Sequence, residues 1–499
     1  MADTQPLLIR ADAGPDIGAG HLMRCLALAQ AWRDRGGMVA VRTTTNDAFL
    51  LARLEEEAIE IHPVTERPGS RKDAEATREL AATIGATWLA IDGYRFGATF
   101  QDHLVDAEHK VLWIDDHGHA APYRADVVLN PNLHATTDLY QDREPKTRLL
   151  LGSRYLLFRQ QFRQWSERPR ETPDFASRVL VMAGGVGSHG LGGRILEALH
   201  AVDDERIKIH SLASDPDEAI SRLVKADPRI DAQPQVTDVP RWMATSHLAI
   251  SAAGSTAWEL AFMGLPALLV SVAENQRPVA AELARRGAAL DLGWHEALDH
   301  QVLTQQVTEL LADRSARKTM VERARALVDG DGVDRVVACL LTEPLWLRPV
   351  RRSDRRLLWE WANDAAVRQA SLSSEPIPWQ DHLGWFERQM SDGAGPFWIA
   401  MDQDEKPIGQ VRFDIAPPRE AEIHISIANG HRHRGHGPYL LQRAAEHLFG
   451  TRGVRRIHAH IKPDNLASAR AFQRAGYQPQ NDEVVKGQVV KHYVLEKPA

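Results

Sequence analysis

Asp12-Ala13-Gly14-Pro15-Asp16-Ile17-Gly18-Ala19-Gly20-His21-Leu22-Met23-Arg24 is the stretch on which the reading of this chain turns. Before it, Leu7-Leu8-Ile9-Arg10-Ala11 is a short apolar run that predicts a strand. After it, Cys25-Leu26-Ala27-Leu28-Ala29-Gln30-Ala31-Trp32 carries apolar residues at helical spacing. A strand, a loop holding Gly14, Gly18 and Gly20, and then a helix aim backbone N–H groups and a positive dipole end at an anion, usually a phosphate. His21 and Arg24 stand three apart at the head of that helix and so share a face. A neutral imidazole there can take a proton from water, and nearby cationic charge stabilises an anionic leaving group. The glycines do not follow G-x-G-x-x-G, and such turns also serve as structural punctuation with a histidine capping the helix. Spacing alone leaves both readings open.

Working outward, the first 165 residues alternate strands and helices. Met38–Thr43, Thr87–Asp92, Lys110–Asp116 and Ala125–Asn130 each read as a strand. That alternation predicts a parallel sheet covered on both faces, with ligands beyond the carboxyl ends of its strands. The polar residues at those ends are Asp92 and Tyr94, then Asp115, Asp116 and His117, then Asn130 and Asn132. Turn and cap chemistry explains any one set, whereas three sets on the edge that holds His21 point to a pocket. Asp115 and Asp116 read as strand-end structural carboxylates, because no further acidic or histidine ligands follow at metal-like spacing.

Between about 159 and 178 the composition turns to Arg, Gln, Glu and Pro, which marks a linker. A second alternating domain follows, opening with the strand Arg178–Ala183 and a second Gly-rich turn, Gly184–Gly190. Its strongest signal is Ser251-Ala252-Ala253-Gly254-Ser255-Thr256-Ala257-Trp258-Glu259-Leu260. Gly254 permits a tight turn, the Ser255 and Thr256 hydroxyls with the helix amides can hold a diphosphate, and Glu259 can accept both hydroxyls of a ribose. An ordinary capping box fits the same spacing. A helical stretch through 303–341 closes this lobe.

The segment from Ala13-Gly14 through Gly18-Ala19-Gly20-His21-Leu22-Met23-Arg24 to Ala29 resembles the N-terminal signature of the UDP-2,4-diacetamido-2,4,6-trideoxy-β-L-altropyranose hydrolases of pseudaminic acid biosynthesis. The similarity extends over roughly the first two thirds of the chain. It implies that His21 is the catalytic histidine and that Tyr94 lies near the sugar. Gly18, Gly20 and Arg24 would belong to the UDP-sugar site. The segment around Gly254, Ser255, Thr256 and Glu259 is similar to the UDP-binding motif of GT-B-type glycosyltransferases and of the same hydrolases, with the glutamate meeting the ribose. Gly264–Val270 and then Glu274-Asn275-Gln276 continue that match and place Asn275 and Gln276 at the cleft.

From residue 345 the pattern changes. A tryptophan-rich helical stretch precedes the strands Phe397–Met401, Ile408–Ile415 and Glu420–Ile427. His431-Arg432-His433-Arg434-Gly435-His436-Gly437-Pro438-Tyr439 then spaces R-x-x-G-x-G at the head of an apolar helix, a turn whose amides and basic side chains suit a pyrophosphate. After the strand Arg456–Ile461 comes Asn465-Leu466-Ala467-Ser468-Ala469-Arg470-Ala471-Phe472-Gln473-Arg474-Ala475-Gly476-Tyr477. Together these resemble motifs A and B of the GCN5-related N-acetyltransferases (GNAT). The resemblance implies an acetyl-CoA site at Arg432, His433, Arg434, Gly435, His436, Gly437 and Asn465. Many members carry, where this chain has Phe472, a tyrosine that reprotonates the departing thiolate; Tyr439, His433 or a water would have to replace it. His431, His433 and His436 read as part of the cofactor loop rather than a metal site. His458 and His460 alternate on one strand face, solvated or lining the acceptor groove.

The expected fold is therefore α/β, with two Rossmann-like lobes in a GT-B-like arrangement (1–165 and 166–344), followed by a mixed α+β GNAT domain (345–499). The chain has 499 residues, 43% hydrophobic and 25% charged, which describes an ordinary globular protein of two to four domains. A net charge of −7 argues against a general nucleic-acid binder. Two distant cysteines, Cys25 and Cys339, argue against a disulfide framework or a zinc cluster of the usual spacing. No basic n-region precedes an apolar core, and no apolar run approaches the ~20 residues of a membrane helix, so a cytoplasmic protein without membrane contact is expected. The expected partners are a UDP-sugar and acetyl-CoA as co-substrate, with no metal. A bifunctional enzyme is the primary reading: acetylation of a UDP-4-amino sugar, then hydrolysis of the product. A GT-B glycosyltransferase acting on a UDP-amino sugar is the rival, its GNAT domain being regulatory or acylating another amine.

Overall fold

The structure, a computed structural model, describes residues 5–498 apart from 15–16, 106–107, 166–167, 169, 184–189, 213–217, 234–235, 392–394, 417–418 and 452. The second Gly-rich turn thus lies almost wholly outside the described residues. The chain divides into two compact units, residues 1–33 with 37–333, and residues 34–36 with 334–499.

The first unit holds two parallel sheets. One contains β1 (Leu7–Ala11), β2 (Val39–Thr43), β3 (Glu60–Pro63), β4 (Trp88–Asp92), β5 (Lys110–Ile114), β6 (Val127–Asn130) and β7 (Arg148–Leu151), in the order β3-β2-β1-β4-β5-β6-β7. The other contains β8 (Arg178–Met182), β9 (Lys208–Ser211), β10 (Ile230–Ala232), β11 (Leu248–Ala252), β12 (Ala267–Ser271) and β13 (Leu290–Trp294), in the order β10-β9-β8-β11-β12-β13. Both orders reverse once, between β1 and β4 and between β8 and β11, and the crevice at such a switch point is where doubly wound sheets bind ligands. The central strands are apolar and buried because helices cover both faces. Arg10 is one exception, a fully buried guanidinium in β1 neutralised by Asp12 and Asp73.

The second unit is a mixed sheet: β14 (Leu345–Pro349), β15 (Phe397–Asp402), β16 (Pro407–Ala416), β17 (Glu420–Ile427), β18 (Arg456–Ile461), β19 (Gln478–Pro479), β20 (Glu483–Val485) and β21 (Gln488–Glu496). Its order is β14-β15-β16-β17-β18-β21-β19, with β20 paired to β21. All neighbours are antiparallel except β17 and β18, which run parallel and pair only from Glu420↔Arg456 to Glu422↔His458 before they part. Ala421, Ile423, Ile457, Ala459 and Ile461 face a core completed by the helices His436–Thr451 and Leu466–Arg474. Glu420, Glu422, His458 and His460 therefore share the opposite face. Among the described residues, no helix is long and apolar enough to cross a membrane.

Candidate active site

The loop after β1 doubles back on itself. Gly18 N donates to Gly14 O (2.7 Å), and Gly18 takes φ +71°, a left-handed value that glycine adopts without strain. The chain then enters the helix Gly20–Arg33 with His21 in its first turn. His21 is 6% exposed, and its Nδ1 lies 2.7 Å from Asp92 Oδ1 at the carboxyl end of β4. A carboxylate on Nδ1 fixes the tautomer that leaves a lone pair on Nε2, and among the described residues nothing hydrogen-bonds Nε2. The ring meets Tyr94 edge-on, with centroids 4.6 Å apart.

Arg24 does something other than wait for phosphate. Its Nε and Nη2 each lie 2.6 Å from Asp92, and its Nη1 and Nη2 lie 2.8 and 3.1 Å from Asp116. The guanidinium charge expected to face the leaving group is thus balanced by two buried carboxylates. Burial works against ionising Asp92 and Asp116, but Arg24 outweighs it, with His21 helping, and both stay below the usual carboxylate range. Asp116 is accordingly part of the His21 cluster rather than only a strand-end carboxylate. It also accepts from Tyr94 OH (2.7 Å) and from Asn132 Nδ2 (3.0 Å). The Tyr94 ring is 40% exposed, yet its hydroxyl end is enclosed, and burial followed by the Asp116 charge pushes the phenol well above its ordinary value.

The second lobe closes on the same point. Asn275 Nδ2 donates to Tyr94 OH (2.7 Å), and Trp258 Nε1 donates to Asn132 Oδ1 (3.2 Å). A Cβ on Gly20 would stand 3.2 Å from Ser255 Oγ, so the first turns of Gly20–Arg33 and Ser255–Met263 are within touching distance. Two positive helix ends converge there, as an anion site requires. The capping-box reading does not hold, because the N-cap is Gly254 and no side chain caps the helix. Among the described residues, the Ser255 and Thr256 hydroxyls have no hydrogen-bonding partner. Gln276 receives Val272 N (3.0 Å), and its amide nitrogen lies 3.6 Å from where a Cβ on Gly254 would be. Glu259 meets Arg159 Nη2 at 3.1 Å through Oε1, leaving Oε2 without a protein donor among the described residues. Burial outweighs that arginine and raises the Glu259 carboxyl.

His117 and His119 correct the reading that no ligands accompany Asp115. One donor atom from each of Asp115, His117 and His119 lies within 4.8 Å of the others, because the loop turns tightly after β5. Asp115 is already saturated, however. Its Oδ1 takes the backbone N–H groups of Asp116, His117 and Gly118 as well as His119, and its Oδ2 takes Tyr123.

In the second unit the basic turn leads into His436–Thr451 with His433 at φ +63° and Gly435 at φ +84°. His436 and Gly437 open the helix, so their amides point out of its N-terminal end. Arg432 is anchored to Ile427 O (2.9 Å) and Asp364 (2.6 Å) and shapes the turn with its guanidinium already engaged. Asn465 caps Leu466–Arg474 by accepting from Ser468 N (3.1 Å). Phe472, 3% exposed, packs edge-on against Tyr477 in the core.

Two Rossmann-like lobes closing on a buried His–Asp pair, with a mixed-sheet unit following, define a two-lobed, doubly wound α/β chain with a mixed α+β domain appended. Family comparison agrees: residues 178–336 match the glycosyltransferase family 28 C-terminal domain, and residues 344–478 match the acetyltransferase (GNAT) domain. The chain is similar to the spore coat polysaccharide biosynthesis protein SpsG of Bacillus subtilis, at 26% identity over 66% of this chain and 96% of that one. It is related to the UDP-2,4-diacetamido-2,4,6-trideoxy-β-L-altropyranose hydrolase of Campylobacter jejuni, at 26% identity over 56% of this chain and 97% of the relative. The protein MJ1062 of Methanocaldococcus jannaschii aligns over 94% of this chain and 96% of its own length at 20% identity.

Proposed function

We propose that the first unit hydrolyses UDP-2,4-diacetamido-2,4,6-trideoxy-β-L-altropyranose to UDP and the free sugar, and that the second acetylates the 4-amino group of its UDP-linked precursor with acetyl-CoA. The observation that carries the reading is the His21–Asp92 pair with Nε2 open, set where two helix N-termini meet. His21 takes a proton from water attacking the anomeric carbon. The C–O bond to the β-phosphate breaks, and UDP leaves as an anion stabilised by the amides and hydroxyls at Gly20 and Ser255–Thr256. Arg24 holds Asp92 and Asp116 in place, Tyr94 and Asn275 border the sugar, and Glu259 Oε2 is available to the ribose.

In the second unit, the unpaired edges of β17 and β18 beyond Glu422 offer N–H and C=O groups to the amide-bearing arm of CoA, and the Gly435–Gly437 turn offers amides to its pyrophosphate. The test is mass spectrometry of products from the UDP-sugar. UDP released without any acceptor, and lost by at least ~10²-fold in His21→Asn while UDP still binds, supports the hydrolase. Unchanged turnover in that variant ends it. The match to a glycosyltransferase family favours a second reading, transfer to an acceptor other than water. UDP release only on adding an acceptor would establish that one.

A further inference from the structure

The polar face of the second unit's sheet gathers more titratable groups than an acetyl transfer uses. His460 on β18 stands opposite His492 on β21 in the antiparallel register, and Glu483 on β20 closes over both. Glu483 Oε2 lies 3.2 Å from His460 Nε2, and Glu483 Oε1 lies 2.8 Å from His492 Nδ1. One donor atom from each of the three lies within 4.8 Å of the others. The two imidazoles are stacked with centroids 5.1 Å apart, and their side chains are only 16% and 11% exposed.

The surrounding contacts are those of metal-binding histidines, whose second nitrogen is held by an acceptor that fixes the ring. His460 Nδ1 lies 2.9 Å from Glu422 Oε1, across the point where β17 and β18 part. His492 Nε2 lies 3.0 Å from His458 Nδ1, and His458 Nε2 faces Glu420 at 3.4 Å. His460 thus has a carboxylate at each nitrogen, and a neutral ring can donate to only one of them. A cation shared by His460 Nε2, His492 Nδ1 and Glu483 removes the conflict. His460 and His492 then each need one N–H, and each finds an acceptor, in Glu422 and His458 respectively. The cluster at Asp115 lacks this property, since its carboxylate is spent on the loop amides.

We propose that His460, His492 and Glu483 form a binding site for a divalent cation of the zinc type, with Glu422 and His458 as positioning residues. Two imidazoles and one carboxylate select a borderline first-row ion over magnesium or calcium. Three protein ligands leave a coordination position for water or a substrate group.

The test uses the full chain freed of metal by chelation, with Zn²⁺ titrated calorimetrically and Co²⁺ followed by its visible absorption. One tight equivalent is expected, weakened at least ~10²-fold in His460→Ala and His492→Ala, and about 10- to 100-fold in Glu422→Gln. A His117→Ala/His119→Ala variant retains it. Glu483→Gln keeps the size of the native side chain while replacing its charge and one acceptor oxygen by an amide N–H2, so it answers the question even where the alanine variants fail to fold. Absence of binding by the wild type, wild-type affinity in Glu483→Gln, or loss of the site in the His117/His119 variant overturns the proposal.

Discussion

Asp92 is the residue through which the first unit's chemistry is arranged. It touches His21, Arg24 and Cys25 and, in the proposed reaction, no substrate atom. Asp92→Asn presents an amide where the imidazole needs an acceptor, which disfavours the productive tautomer. Its kcat is expected to fall by on the order of 10²–10⁴ with KM little changed. The pH–rate profile, which shifts when the tautomer is disturbed, separates this from a merely weakened fold, which would scale kcat down without altering that profile. The same carboxylates make stability depend on pH. Asp92 and Asp116 are held below their ordinary value of 3.8, so protons bind the unfolded chain first as pH falls. Their contribution is complete above that ordinary range and is lost as pH drops through the lower native values. The urea midpoint of the wild type should fall steeply below about pH 4. In Asp116→Asn the fall should be shallower, starting from a lower plateau.

At the scale of elements, the buried strands were legible because they are nearly continuous apolar runs: β1, β4, β5 and β8 all lie where the sequence predicts them. β3 and β7 were not. They are four-residue strands at the two edges of the sheet, partly exposed; Glu-Ile-His-Pro carries no apolar signature, and Arg-Leu-Leu-Leu is too short an apolar run to be told from a turn of helix. The gathering of Tyr94, Asp116 and Asn132 beside His21 could be anticipated from strand ends, whereas the pairing of Arg24 with carboxylates 68 and 92 residues away could not. Local spacing carries no record of which distant charge fills a cavity. In the acetyltransferase domain the turn before His436 is the element to disturb. Gly435 sits at φ +84°, where an alanine costs about 1–2 kcal/mol and shifts the following amides. Gly435→Ala should weaken acetyl-CoA binding at least several-fold while leaving UDP affinity unchanged, as calorimetry with each ligand would show.

In the proposed scheme the two units act on the sugar nucleotide in succession, and the order of steps is testable on the intact chain. Supplied with the UDP-4-amino sugar and acetyl-CoA, His21→Asn should accumulate the acetylated UDP-sugar, and the wild type should release UDP and the free diacetamido sugar. Without acetyl-CoA, UDP release by the wild type should slow markedly. If both proteins release UDP equally with or without acetyl-CoA, the two steps are not linked through this substrate.

The near contact of Gly20 with Ser255 has a mechanical consequence. Two like poles brought nose to nose repel, and a doubly negative guest between them turns that repulsion into a rivet. In the proposed reaction the diphosphate of the nucleotide is the charge that settles this opposition, and any side chain larger than hydrogen at residue 20 intrudes on its seat beside Ser255.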